Sequence, residues 1–336
     1  MALVSPDSRV TQEDEMIINL LEYDITRPEE EVADILGLSV EEFKAKFSKL
    51  LRSRWIIPYV LIDPFALPII GMEERLITYV FLSGDIKKLD RIIQRLSSPE
   101  FSEVNLIWRL FAGRYDVLIR GFPLKSRLDD FIQSIEMIPG VFSTNLSLCT
   151  GRYKFRGFNL PRIERGRLRD LTPLDQPENY RSLIHVLQED PLRYAVAPYK
   201  QTALRLNEQY GLSVKAADIE EQINTLVNRG VIRKIGLRKT KTYWETRGFK
   251  RRIFVCFYTH PLAQERIGTL LSRMENVNDV FDVAGTFDIL AGVWTHSFHQ
   301  WGNQLEHLLS IEGLRMSESF MAVDLAISRI LNIERL

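Results

Sequence analysis

Two copies of one plan, set about 173 residues apart, constrain this chain more than any single motif does. Gly37-Leu38-Ser39-Val40 returns as Gly211-Leu212-Ser213-Val214, and Ala112-Gly113-Arg114-Tyr115-Asp116-Val117-Leu118 returns as Ala284-Gly285-Thr286-Phe287-Asp288-Ile289-Leu290. A third anchor, Ile138-Pro139-Gly140-Val141, returns as Ile311-Glu312-Gly313-Leu314. The offsets of 174, 172 and 173 keep the three anchors in one order. Such a period lies far outside the roughly 20–50 residues of a solenoid unit. The 336 residues therefore read as two copies of one unit, each close to the usual domain length of about 150 residues and large enough for its own core.

Cys149 and Cys256 lie in alternating apolar runs, where a small buried thiol is the expected role, and no disulfide framework or zinc spacing accompanies them. The first ten residues lack a basic head and an apolar stretch, and no run approaches the length of a membrane span. Neither export nor insertion is expected, and the expected location is the cytoplasm. Formal net charge is zero, which argues against indiscriminate polyanion binding by the whole molecule. The charge is nevertheless uneven: Arg233 to Arg252 holds nine basic residues against the single acid Glu245. A second basic cluster, Arg152, Lys154, Arg156, Arg162, Arg165, Arg167 and Arg169, lies between the copies.

Each copy opens with helical patterns. Ile17, Ile18, Leu20 and Leu21 in the first copy, and Leu183, Ile184, Val186 and Leu187 in the second, form one apolar face. Pro28 and three glutamates suit the start of a second helix, which Gly37 stops. Ser39 with Glu42 reads as a capping box for a third helix buried through Phe43, Phe47, Leu50 and Leu51, and Ser213 is expected to repeat the plan. Helix, glycine turn, helix is the helix-turn-helix order. Trp55 to Pro64 and Gly230 to Leu237 then read as wings. The remainder of each copy alternates as βαββαβ: strands near 76–81, 104–111, 116–120 and 142–149, matched by 253–259, 277–283, 288–295 and 315–323. The helices cover one face of such a sheet, so its apolar other face needs a partner.

The order of these motifs, and their repetition, resembles the Lrp/AsnC family of transcription regulators over nearly the whole chain, twice. The residues that carry it are Gly37 to Ser39, Ile56 to Pro64, Ala112 to Leu118 and Ile138 to Val141, with their counterparts in the second copy. The resemblance implies an α+β fold class with two copies of a winged helix-turn-helix plus a ferredoxin-like βαββαβ domain. The expected boundaries are 11–65 and 73–149 for the first copy, a basic linker at 150–176, then 177–245 and 250–326 for the second, with a C-terminal extension at 327–336. It further implies a non-enzymatic regulator that binds double-stranded DNA. Lys44, Lys46, Lys49, Arg52, Lys215, Gln222 and Asn224 would act from the third helices, and Arg233, Lys234, Arg238, Lys239 and Lys241 from the second wing, where charge pairing with phosphate would dominate. The open sheet faces of the two copies are expected to pack on each other as an intrachain pseudo-dimer, with further homo-oligomerisation allowed. Family effectors, often amino acids, sit near the Ala-Gly-aromatic-Asp turn, so Gly113, Asp116, Gly285 and Asp288 are the candidate effector residues.

The third helix of the second copy is poor in positive charge, which keeps a different class open. The resemblance extends to siroheme decarboxylases, which pair two related Lrp/AsnC-like subunits and remove carboxylates from acetate side chains of a tetrapyrrole. Such a site needs cations for carboxylates and a His or Tyr near the reacting group, and His260, His296, His299, Arg251, Arg252 and Tyr258 are available. His296 and His299 alone make a poor metal site. No catalytic constellation, cofactor or metal is expected from motifs alone.

Overall fold

The computed structural model describes residues 10–111, 113–155, 158–164, 170–196 and 198–328. The first copy begins with helices α1 (Gln12–Leu21), α2 (Glu29–Leu36) and α3 (Val40–Arg52), followed by strand β1 (Ile56–Ile62) and a short 3-10 turn. Thr11 and Asp14 exchange hydrogen bonds across the start of α1, as Ser39 and Glu42 do across the start of α3, so each first turn has its free N–H groups satisfied. Gly37 ends α2 at φ +66°, a conformation that favours glycine. Next come β2 (Thr78–Gly84), α4 (Leu89–Leu96), β3 (Val104–Phe111), β4 (Val117–Gly121), α5 (Leu128–Glu136), β5 (Val141–Phe155) and β6 (Phe158–Glu164).

The second copy opens with α6 (Pro177–Glu189), α7 (Pro191–Tyr194), α8 (Lys200–Tyr210) and α9 (Ala216–Asn228), then β7 (Ile232–Lys239) and α10 (Lys241–Thr246). It closes with β8 (Arg251–Thr259), α11 (Gln264–Arg273), β9 (Val277–Ala284), β10 (Ile289–Thr295), α12 (Phe298–Leu309) and β11 (Leu314–Ser328). Ser213 does not cap α9. Asn207 bonds both backbone groups of Val214 and so prolongs the loop, and the Asp218 carboxylate accepts from the Lys215 N–H where the helix begins.

The chain folds into two compact units that cut across the repeat: the openings of both copies form one, and the strand-rich remainders form the other. In the first unit each presumed wing supplies a single strand. β1 and β7 pair antiparallel from Ile56 opposite Lys239 to Ile62 opposite Ile232, making one ribbon from two copies. A lone strand leaves its ladder of N–H and C=O groups unpaired, and here the other copy satisfies it.

The second unit is a large antiparallel sheet. Within the first copy the strand order is β5-β2-β4-β3, and within the second it is β11-β8-β10-β9. The copies join at both edges, β3 to β11 and β5 to β9, so eight strands close into a ring and β6 continues from β5. Closure removes the free edges that each half would expose. Outside the ring, α4 and α5 bury Ile92, Ile93, Leu96, Phe131 and Ile135 against the first half, and α11 and α12 bury Ile267, Leu271, Trp301 and Leu308 against the second. Each such side chain contributes about 1.5–3 kcal/mol by leaving water. Inside, aromatic rings from the two copies meet: Tyr79 with Phe281 at 5.2 Å, Phe81 with Phe287 at 5.6 Å and Trp108 with Phe254 at 5.8 Å.

The segment read as a basic linker begins instead as strand. β5 runs on to Phe155, and Arg152 is fully buried opposite Phe281 of β9. Of the other cations of that cluster, Arg156, Arg165, Arg167 and Arg169 lie outside the described residues, as do residues 329–336 of the expected C-terminal extension. Ile327 and Ser328 belong to β11. No helix among the described residues is long and apolar enough to cross a membrane.

Candidate functional site

The residues expected to grip DNA separate into two groups. Of the basic run, Arg233, Lys234 and Lys239 turn inward. Asp63, fully buried, accepts from Arg233 at 2.8 and 3.0 Å, and Lys239 reaches Glu22 at 2.9 Å and Asn19 at 3.3 Å. Lys234 stands 3.1 Å from the centroid of the Tyr23 ring, and its partial burial pushes the ammonium down to about 8. Lys241 pairs with Glu245, and Arg238 lies half-buried on β7. A solvated cationic hairpin is therefore not what this sequence makes. The charges of Arg233 and Lys239 are neutralised by acids of the first copy that lie far away in sequence.

The helix residues are mixed. Lys44 pairs with Glu29 at 2.8 Å and Lys46 with Glu13, and those carboxylates hold both ammonium groups above their usual range. Lys49 and Arg52 are exposed on α3, the latter donating to the Ser48 carbonyl. Lys215 and Asn224 are exposed on the second copy and Gln222 is half-buried.

The four turn residues converge at one end of the ring, where each has a structural task. Gly113 and Gly285 sit at φ +144° and +151°, a region essentially reserved for glycine. A Cβ at Gly285 would meet the Leu146 carbonyl at 2.6 Å, and one at Gly113 would meet the Phe320 ring at 2.8 Å. Asp116 accepts the Gly84 N–H at 2.9 Å and Asp288 the Thr259 N–H at 2.6 Å, so the carboxylates tie their turns to the ends of β2 and β8.

Around these turns stands a cluster that motif reading passed over. Glu318 of β11 accepts from the Arg114 guanidinium at 2.9 Å and from the Tyr258 hydroxyl at 2.7 Å. Beneath them Phe81 touches Tyr115, Phe287 and Phe320 at 5.3, 5.6 and 5.4 Å between centroids, and Tyr258 meets Phe287 edge-on at 5.3 Å. Arg114 lies 5.1 Å from the Tyr115 ring and 5.9 Å from Phe287, which binds the two turns to one site. Desolvation and the Glu318 carboxylate push the Tyr258 phenol up to about 12, so it holds its proton at neutral pH. Burial also drives the Cys256 thiol well up, leaving it inert. The signal that could have found this cluster is the repeat itself: Arg114 falls where the second copy has Thr286, and Glu318 where the first has Asn145.

Of the other residues considered for catalysis, Tyr258 alone joins the cluster. Arg252 is buried and Arg251 exposed. His260, His296 and His299 are exposed, and Ser297, not His296, caps α12. Among the described residues no group of three His, Cys, Asp or Glu is placed to hold a metal ion.

No protein-family model matches the chain, and no curated protein does. Its mixed α+β fold, with the large antiparallel sheet, is shared with a solved siroheme decarboxylase. Over 96% of its length the chain is similar to 95% of a siroheme decarboxylase, NirDL, solved with an iron-uroporphyrin III analogue, at TM-score 0.67 and 14% identity. The same enzyme alone gives 0.66 at 13% identity, over 96% of this chain and 94% of that one. The AsnC regulator of E. coli is similar to 47% of this chain over 98% of its own, at 0.37 and 15% identity. Both branches named from the sequence occur among the similar solved structures, and the full-length likeness, to the decarboxylase, is one of fold.

Proposed function

We propose that the chain is an enzyme of the siroheme decarboxylase type: two winged-helix and ferredoxin-like copies joined in one polypeptide, acting on acetate side chains of a tetrapyrrole. The observation that carries this reading is the Arg114–Glu318–Tyr258 cluster over its floor of aromatic rings. An apolar floor of tilted aromatic rings suits a macrocycle, a guanidinium suits a carboxylate, and a phenol that keeps its proton can donate it. The full-length likeness to an enzyme solved with an iron-uroporphyrin III analogue agrees with it.

In the reaction the bond between the side-chain methylene and its carboxylate breaks, carbon dioxide leaves, and the electron pair remains on the carbon. That carbon takes one proton and becomes a methyl group, so no oxidant or reductant is needed. Tyr258 Oη would supply the proton and regain one from solvent. Arg114 would hold a neighbouring carboxylate. A guanidinium on the departing one would stabilise the ground state more than the transition state and slow the reaction.

Anaerobic incubation with siroheme tests the reading directly. The expected result is product lacking one or more carboxylates, with Tyr258→Phe lowering kcat by about 100-fold, a typical loss of a general acid. Absence of product at high enzyme concentration overturns it.

The exposed Lys49 and Arg52 on α3 favour a second reading, duplex DNA binding by a regulator whose effector, such as an amino acid, binds near the turns. A mobility-shift titration at several salt concentrations, with both residues changed to Ala, decides it. Loss of affinity and a shallower salt slope would support DNA binding, and unchanged values would remove it.

A further inference from the structure

Far from the turns, the interior of the ring holds charge that the reaction above does not use. Arg120 and Arg252 are 2% and 9% exposed, and Arg152, fully buried, shares their side of the sheet through its register with Phe281. Arg120 donates to Asn105 Oδ1 at 3.0 Å, and Arg252 pairs with buried Asp279. The Arg252 guanidinium also sits among three rings, 5.1 Å from Trp108, 5.0 Å from Phe254 and 5.6 Å from Trp294. Six residues of β8 separate Arg252 from Tyr258, roughly 20 Å of extended chain, so this is a different place.

Two donors here lack an acceptor. Arg252 Nε and Trp108 Nε1 are buried with no hydrogen-bond partner, and the Arg252 guanidinium lies against the Trp108 ring. A buried donor left unmade is costly, and a charged one more so. Arg120, Arg152 and Arg252 outnumber Asp279 in this desolvated interior, so an anion is favoured there. An eight-stranded ring has room among its side chains for one small ligand at most.

We propose that the ring interior binds one carboxylate group, which accepts from Arg252 Nε and Trp108 Nε1 and is held in the field of Arg120. A carboxylate offers two acceptor oxygens to two donors of different geometry. The aromatic walls suit its short apolar stem. The group is either a free small acid or a carboxylate arm of a larger ligand.

Calorimetric titration of the full-length protein with acetate, against acetamide at constant ionic strength, tests it. Saturable acetate binding with no acetamide response is expected. Trp108→Phe keeps an aromatic ring but removes the N–H together with the pyrrole half of the indole, so it should weaken acetate by at least about tenfold, the loss of one hydrogen bond to a charged group. Arg252→Met should abolish binding where it folds. No saturable response, or equal acetate affinity in wild type and Trp108→Phe, overturns the proposal and assigns the interior to water. Siroheme that displaces acetate identifies the arm of a larger ligand as the source, and simultaneous binding identifies a free acid. Acetate binding without siroheme turnover would uphold this site while removing the decarboxylase reading.

Discussion

In the first copy the turn at Gly113 carries Arg114 and Tyr115 and lies against the strand that bears Glu318; in the second, the turn at Gly285 carries Thr286 and Phe287 and lies against the strand that bears Asn145. Both turns use a glycine at high positive φ, an aromatic ring pointing inward and an aspartate that accepts a strand N–H. What they share is what closes the ring. Where they differ, one side has an ion pair and the other a neutral hydrogen bond of 2.7 Å between Asn145 and Thr286. Equivalent positions that kept their residue type answer to the backbone, and those that parted answer to chemistry.

The strongest test of the shared part is steric. Gly285→Ala places its Cβ against backbone, which cannot move aside, whereas Gly113→Ala meets the edge of one ring. Gly285→Ala is expected to cost about 3 kcal/mol and Gly113→Ala less, since the strained region alone costs roughly 1–3 kcal/mol. Denaturant midpoints of the two variants measure this, and the reverse ranking would break the comparison. Next in size, Asp116→Ala and Asp288→Ala each orphan one partly buried N–H, at about 1–3 kcal/mol apiece. Similar losses by the same measurement are expected, because the two carboxylates perform one task.

The divergent part should respond oppositely. Arg114→Thr, which copies the second turn into the first, is expected to leave the midpoint within about 0.5 kcal/mol, as the pair is half exposed. Siroheme turnover should nevertheless fall about tenfold, the loss of one charge-assisted contact. Thr286→Arg in that background should not restore it, because no carboxylate faces the second turn where Asn145 stands. The smallest effect is on pH dependence. Burial and the Glu318 carboxylate raise the phenol of Tyr258 from 10.0 to about 12, so the wild type keeps its proton-donating form well into the alkaline range. Burial is the larger cause of the rise, and Glu318→Gln removes only the part the carboxylate adds. The alkaline limb of the rate profile should then move down, and an unmoved limb would dissociate Tyr258 from the proton step.

Much of this architecture was legible because it is local or repeated. The capping box at Ser39, the stop at Gly37 and the apolar periodicity of each strand depend on neighbours within a few residues. What could not be read was remote. The basic run from Arg233 looked like a solvated grip for phosphate because its acids, Asp63 and Glu22, lie 170 and 217 residues earlier. Ser213 copies Ser39 in sequence, yet Asn207 and Asp218 redirect the chain around it. Arg152 looked like linker charge, and the extra length of β5 carries it into the interior. At the candidate site the turns were found by their motif, but Glu318 and Tyr258 were not joined to them, because strand pairing between the copies is what brings Arg114 and Glu318 together across 204 residues.

The mutual edge pairing of the two halves has an evolutionary corollary. A ring assembled from identical subunits must carry every new side chain at both related places, so a cation at one turn would face a cation's twin at the other. Once both halves are written in a single polypeptide, each half can mutate on its own account. An arginine can appear at one place and its carboxylate at another while the far side stays neutral. Covalent union thus gives this ring a polarity that symmetry would otherwise forbid, and with it a preferred way for an asymmetric guest to enter.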